Sequence, residues 1–420
     1  MRFLAPFMYN FSLPSTGFTG TNTFANLVAG TSEFQQQGLA TVGTFGTTIR
    51  NFGGIGPVDQ NLSNPQVQQW SLTLEREVTP QLVASASYVG TKGNFLQRSR
   101  PLNTLAPGQF TPPTTLQQEQ AMQAAGDFTR INAGLNAPLT APGIRIDPRF
   151  NAVTMLESSA NSIYHSAQFQ LSRRFAAGYS FQAAYTISKS IDDGSDALGV
   201  LVNESALQQN PFDNRNNRAV SQFDIPQRLV ISHLYEPQFT AGISNAVLRT
   251  VLHGWQFNGY FQIQSGQPAT IFSGTRGGVA DAGLFGVGTA TVNGVSTGLV
   301  RANATGAVNV NFVPNPGLGA ANPNLVTGSN LVQPLVGNFG TLGRNSLRLN
   351  RLAEFNWTFG KTFKITERVG TQFQAQIYNV FNNTTFSRTG QVLSAPATFG
   401  YYNDTDTNTR NMTMVLRVIW

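Results

Sequence analysis

The sequence predicts an all-β fold: an antiparallel transmembrane β-barrel portion of about ten strands, with short turns at one end and long loops at the other. Three observations predict it. Apolar and polar residues alternate by twos through long paired segments. Short and long connections alternate along the chain. No apolar run approaches the roughly 18 residues a membrane helix needs, so any membrane crossing is made by strands.

The clearest unit is the stretch HSAQFQLSRRFAAGYSFQAAYTISKSI, His165 to Ile191. Ala167, Phe169, Leu171, Tyr179, Phe181, Ala183, Tyr185 and Ile187 fall on one face. Gln168, Gln170, Ser172, Ser180, Gln182, Ala184, Thr186 and Ser188 fall on the other. Successive strand side chains point to opposite faces, so this reads as a hairpin with one apolar and one polar face. Arg173 to Gly178 form the connection, and Gly178 supplies the positive φ such turns often need. Each arm has about ten residues, the length that crosses a bilayer as a tilted strand. A soluble sandwich gives the same alternation, so the decision falls to the rest of the chain.

Composition supports the membrane reading. Charged residues are 11% of the chain, against about 25% in ordinary globular proteins. The 41 glycines and 31 phenylalanines suit turns and aromatic anchors. The net charge of +7 is spread thinly, with no dense basic run, so nucleic acid is not the expected partner. Cysteine is absent, which removes disulfides, thiolate zinc sites and thiol nucleophiles.

Residues 1–64 are poorly patterned, with one expected strand near Phe3 to Phe11; the barrel portion is 65–420. A hairpin is expected where Trp70, Leu72 and Leu74 lead through a turn at Glu75 to Gln81 into Leu82, Ala84, Ala86 and Tyr88. Residues 93–150 form a long connection, with a short helix expected from Thr115 to Ala125, where Gln, Glu, Met and Ala favour one. A polar loop runs from Asp192 to Ser221. Strands follow at Phe223 to Tyr235 and Val251 to Gln264. Residues 266–345 are irregular. The period then returns in Phe355, Trp357 and Phe359, and in Val369, Thr371, Phe373, Ala375, Ile377 and Phe381. Met412, Met414, Leu416, Val418 and Trp420 close the chain in alternation. The turns near 75–81, 173–178 and 360–368 are short, the one near 237–250 is intermediate, and the segments 93–150, 192–222, 266–345 and 382–410 are long. Counted back from Trp420, every short turn lies on the C-terminal side of the membrane, as periplasmic turns do. The start, MRFLAPFMYNFSLPSTG, lacks the charge pattern and cleavage site of an export leader, so the expectation is a C-terminal part of something longer or a truncated reading frame.

Several stretches closely resemble the β-barrel of Oar-like TonB-dependent receptors. They are NPQVQQWSLTLEREV with ASYVGTKG, YHSAQFQLSRRFAAGYSFQAAYTISKSIDDGSD, FDIPQRLVIS, GWQFNGYFQIQSGQP and LGRNSLRLNRLAEFNWTFGKTFKITERVGTQFQAQIYNVFN. They run in that family's order over roughly 64–420. The resemblance implies an outer-membrane receptor that imports a bulky nutrient through a plugged barrel of about 22 strands. It implies outer-membrane lipid as surroundings, assembly through the aromatic-ended last strand, an unidentified ligand, and coupling to TonB through a plug segment not seen here. About ten strands make this chain half of such a barrel. Enzymatic activity and cofactors are not expected; a small passive pore or adhesin and a soluble all-β binding module are the competing readings.

Trp70, Tyr88, Tyr185, Trp255, Trp357 and Trp420 read as interfacial girdle aromatics, whose rings suit the headgroup zone. Arg215, Arg218 and Arg228 are candidates for lumen or ligand-facing cations able to meet an anion through paired contacts; pairing with Asp213 and Asp224 competes with that role. His165, His233 and His253 fall in separate strands without ligand spacing and are expected at strand ends or in the lumen. Asp192, Asp193 and Asp196 lack the EF-hand spacing and are expected in a solvated loop. GLFGVG lacks the strand-to-helix setting of a phosphate cradle, and no nucleophile-elbow motif supports a catalytic triad.

Overall fold

The structure is a computed structural model that describes residues 7–9, 55–106, 108–135, 144–147, 153–195, 208–238, 243–276, 279–280, 290–292, 295–297, 300–314, 326, 328–366, 369–387, 389–402, 405 and 409–419. Nine long strands form its frame: β1 Gln66–Thr79, β2 Leu82–Pro101, β3 Thr154–Ala176, β4 Tyr179–Asp192, β5 Gln227–Tyr235, β6 Trp255–Gln264, β7 Leu352–Lys364, β8 Gly370–Tyr378 and β9 Asn411–Ile419. They pair strictly in chain order, every neighbour antiparallel, and the two-residue strand Ala219–Val220 adds to the end of β4 to make a ten-stranded sheet. A meander of this kind suits strands joined by local turns. Among the described residues, β1 and β9 are the two sheet edges and do not pair with each other.

The register sorts side chains into rows. Leu82, Arg173, Phe181, His233, Gly259, Trp357, Ile377 and Met412 stand side by side across eight strands. Another row joins Leu74, Ala86, Phe169, Tyr185, Leu229, Ile263 and Ala353. Next to the second row, on the side away from the first and pointing the other way, lie Thr73, Ser87, Gln168, Thr186, Arg228 and Gln264. The alternation read from sequence therefore holds across the whole sheet.

The rows also step. Leu82 opens β2 in the row of Phe181; Tyr179, Trp255 and Phe363 then open or close the successive hairpins, each one row further on. That stagger is the shear a tilted barrel wall requires.

Among the described residues, no second sheet covers the apolar face. On interior strands Phe169 is 47% and Ile187 is 44% exposed, and on the edge strands Leu74 and Leu416 reach 69% and 70%. A sandwich would bury such residues between two layers. The soluble-module reading fails on this point.

The connections fall as expected. Pro80–Gln81, Ala177–Gly178 and 365–369 close hairpins at one end, where Ile419 also ends β9. The 236–254 connection at that end carries a helix, Ala246–Leu252, capped by Asn245, which the sequence reading does not place. Ala177 and Gly178 both have positive φ, the geometry of a two-residue hairpin turn. A side chain at Gly178 would also strike the Glu236 carbonyl, so glycine is required twice over. Strands run further into the turns than the sequence suggests: β1 continues through Glu75, Arg76 and Glu77, β3 through Ala176, and β7 through Lys364.

The long connections gather at the opposite end and hold the dry cores. Phe128, Ile131 and Val336 form one; Ile271, Ala302, Leu331, Leu342, Leu393 and Phe399 form a second; Ala269, Leu349 and Tyr402 form a third. Among the described residues, Ala160 and, at the last position of β2, Pro101 are the buried apolar side chains within the nine strands. The expected helix runs from Leu116 to Ala124, with Thr115 as its N-cap, its hydroxyl accepting from the Gln118 amide at 3.2 Å. A second helix, Asp127–Leu135, supplies Phe128 and Ile131 to the first core. The strand expected near Phe3 to Phe11 is a three-residue strand, Phe7–Tyr9, paired with Ile55–Pro57.

Candidate functional site

Strands β2 and β3 are about twice as long as β5, β8 and β9 and rise past the others at the long-connection end. The connections fold over this end through buried polar contacts. Arg344 lies at the centre. Its guanidinium is ion-paired with Asp192 and donates to the Ser195 hydroxyl at 3.1 Å and the Asn217 carbonyl at 3.0 Å. Arg301 donates to the Leu342 carbonyl at 2.7 Å and to Asn216 and Asn217. Burial, and then the neighbouring Arg344 charge, lower its pKa to about 10, which still leaves it cationic near neutrality. Arg348 pairs with the fully buried Asp224. Asn345 and Thr270 exchange hydrogen bonds at 2.9 and 3.0 Å.

These contacts correct the expectation for the IDDGSD loop. Asp192 and Asp193 are buried, not solvated: Asp192 pairs with Arg344, and Asp193 accepts from Arg218 at 3.1 Å and from the Asn161 amide at 3.0 Å. Asp196 lies outside the described residues. No cluster of metal-ligating side chains is present among the described residues.

The three candidate arginines are not brought together. Arg218 is held by Asp193, and Arg228 sits in a row of the polar face between Thr186 and Gln264. Neither meets Asp213 or Asp224 in the pairing expected from sequence: Asp224 takes Arg348, and Asp213 accepts the Arg215 backbone N–H at 3.0 Å. Arg215 alone reaches a cavity, of about 550 Å³, with Arg98, Arg100, Glu157, Phe212 and Asn214. Sequence reasoning misses Arg98 and Arg100 because they fall in 93–150, read there as a long connection, whereas β2 continues through Pro101.

The histidines depart from expectation. His165 and His233 stand on the apolar face within β3 and β5, not in the lumen. The Tyr88 hydroxyl is 2.8 Å from His165 Nδ1, and the Trp70 ring meets His165 edge-on. The Trp70 ring also lies across Gly90, where any side chain would collide with it. His253 caps the Ala246–Leu252 helix and belongs to no strand.

The girdle candidates divide by position. Trp255 opens β6 at the short-connection end, its indole N–H donating to the Val251 carbonyl at 2.9 Å. Trp70, Tyr88, Tyr185 and Trp357 stand on the same apolar face, further toward the long-connection end. Trp420 lies outside the described residues.

With that geometry in place, comparison adds the family. The model of the outer membrane beta barrel domain matches residues 2–413. Similar solved structures include the outer membrane transporter YddB from Escherichia coli, at 9% identity and TM-score 0.41, covering 87% of this chain and 34% of that one. The pyoverdine outer membrane receptor FpvA from Pseudomonas aeruginosa is 11% identical, TM-score 0.34, covering 85% and 30%. The ferric enterobactin receptor PfeA from Pseudomonas aeruginosa is 10% identical, TM-score 0.38, covering 87% and 32%. The chain thus spans about a third of the length of these structures. No curated protein sequence matches it.

Proposed function

We propose, since this chain belongs to the outer membrane beta barrel domain family and lies in the outer membrane, that it forms part of the wall and the outer face of a TonB-dependent receptor of the Oar-like type. The observation that carries this is the one-ended build: among the described residues, an uncovered apolar band on the sheet, with the described parts of the long connections packed above the same rim. A passive channel needs only the wall. A receptor needs a shaped outer surface, and the cap of buried ion pairs and small cores supplies one.

In this reading the apolar face meets lipid, and Trp255 marks one interface while Trp70, Tyr88, Tyr185 and Trp357 lie toward the other. The face bearing Gln168, Gln170, Gln182, Gln262 and Arg228 lines the lumen. The last strand is the segment engaged during assembly, and further strands complete the barrel against the open edges of β1 and β9. A plug provides the link to the energy-transducing system, and the cargo is a bulky nutrient.

Expression with an export signal tests the reading. A band in the outer-membrane fraction whose mobility shifts on heating is the expected result. A soluble monomer would sink the proposal. Liposome conductance then separates receptor from pore: a defined, steady channel from this chain alone would favour the pore.

A further inference from the structure

We infer that the cavity between the β2–β3 extension and the 211–215 segment is an oxyanion subsite. It would take a small molecule carrying a carboxylate or phosphate beside a flat apolar group. This deepens the receptor reading by naming a ligand chemistry at its outer face, and it rests on that reading for the ligand's route.

The argument starts with the Glu157 carboxylate, whose acceptors are filled. Its Oε1 accepts from Arg98 Nε at 2.8 Å, Arg98 Nη2 at 2.5 Å and the Ser159 hydroxyl at 2.5 Å. Its Oε2 accepts from Arg100 Nε at 2.8 Å. One carboxylate therefore serves two guanidinium groups. Asp213 spends an oxygen on the Arg215 backbone, and Asn214 Oδ1 accepts from Arg98 Nη2 at 2.6 Å without adding charge. Arg98, Arg100 and Arg215 thus outnumber Glu157 and Asp213 around one cavity.

The second observation is a missing partner. Arg98 is 3% exposed, yet its Nη1 is buried without a hydrogen-bond partner. A buried guanidinium N–H is normally satisfied, so Arg98, which lines the cavity, keeps a donor for one further acceptor. An oxyanion is that acceptor, and guanidinium groups match its geometry.

Size and shape complete the case. A volume of about 550 Å³ falls within the roughly 300–1,000 Å³ typical of small-molecule pockets. Phe212 stands 69% exposed at the rim beside Pro211. It offers a ring for a flat apolar group next to the anion.

Calorimetric titration of the full chain in detergent micelles tests this with four aromatic probes, benzoate, phenyl phosphate, benzyl alcohol and benzylamine, and with inorganic phosphate as a ring-free control. The two anions are expected to bind at least tenfold more tightly than the neutral and cationic probes. A preference between them identifies the oxyanion and supports the site. Arg215→Gln, at an exposed position that leaves the fold intact, is expected to weaken both anions at least fivefold. Phe212→Ala should weaken benzoate and phenyl phosphate while leaving inorganic phosphate unchanged. Equal binding of benzyl alcohol and benzoate, or unchanged affinities in both Arg215→Gln and Arg100→Gln, would overturn the subsite. The heat-shifted band, read in the same samples, reports on the receptor reading separately. Its absence counts against the receptor, whereas absent anion selectivity counts against the subsite with or without the band.

Discussion

Two regions of this molecule bury opposite kinds of residue. In the sheet, large apolar side chains such as Phe169 and Ile187 stay open even on interior strands. In the connections above it, Ile271 and Phe399 are fully enclosed, and arginines and aspartates are enclosed with them. The difference reflects the solvent on each side. Lipid tails give no reward for hiding Phe, so the sheet leaves it outside and satisfies the backbone groups of its interior strands by pairing. The cap faces water, where burying apolar area is favourable and a buried charge needs a partner.

Substitutions that respect one rule and break the other sharpen the contrast. The largest effect is expected from Asp192→Ala. It leaves the buried Arg344 without its counter-ion, and breaking such a pair costs about 3–5 kcal/mol. The loss should be local. Hydrogen exchange should rise in 216–222 and 340–349, while the heat-shifted band of the barrel persists. Loss of the band would mean that cap and wall fold as one unit.

Next is Phe373→Arg on the apolar face, in the row of Trp255, Lys361 and Leu416. Arg on the lipid face costs about 2–4 kcal/mol at the bilayer midplane and less toward an interface, so a loss of roughly 1–2 kcal/mol is expected in this row, read by denaturant unfolding in phospholipid vesicles. Gln374→Arg, one residue on and facing the lumen, should cost far less. Equal costs would erase the distinction between the faces.

A smaller effect, on the order of 1 kcal/mol, is expected from Thr115→Ala, which removes the N-cap of the Leu116–Ala124 helix. Protease sensitivity of 114–126 reads it without touching the wall.

Acidity gives the mildest test. Burial pushes the Glu119 carboxyl up, but its hydrogen bonds to Arg276 and the Val336 amide, with the Arg276 charge, outweigh that and hold it below the usual carboxylate range. A depressed carboxylate contributes stability that is present above its unfolded pKa and lost as pH falls through the folded one. The contact between this helix and residues 276 and 336 should loosen only in acid, and Glu119→Gln should remove that dependence. Exchange at Val336 followed against pH is the measurement.

The wall was legible because its code is local. A period of two in Leu82, Ala84, Ala86 and Tyr88 declares both strand and face, and Gly178 declares its turn. Strand ends were less so. Glu75, Arg76 and Glu77 read as a charged turn, yet a strand keeps pairing after it has left the apolar band. The cap was nearly opaque. Asp192 looks like a solvated loop acid because its partner, Arg344, comes 152 residues later. Ile271, Leu342 and Phe399 share a core without sharing any period. The Asp127–Leu135 helix carried a usable signal, since Phe128, Ile131 and Leu135 fall at helical spacing. The candidate site followed the same division: Arg215 was readable in its polar loop, whereas Arg98 and Arg100 became site residues only when that loop folded over them.

The central claim is that the apolar rows touch lipid, and tryptophan fluorescence with brominated phospholipids tests it most directly. The chain has four tryptophans, and Trp70, Trp255 and Trp357 all stand on the apolar face. Bromine on the acyl chains should quench most of the emission, and aqueous acrylamide should quench little. Emission indifferent to bromine but sensitive to acrylamide would contradict the account.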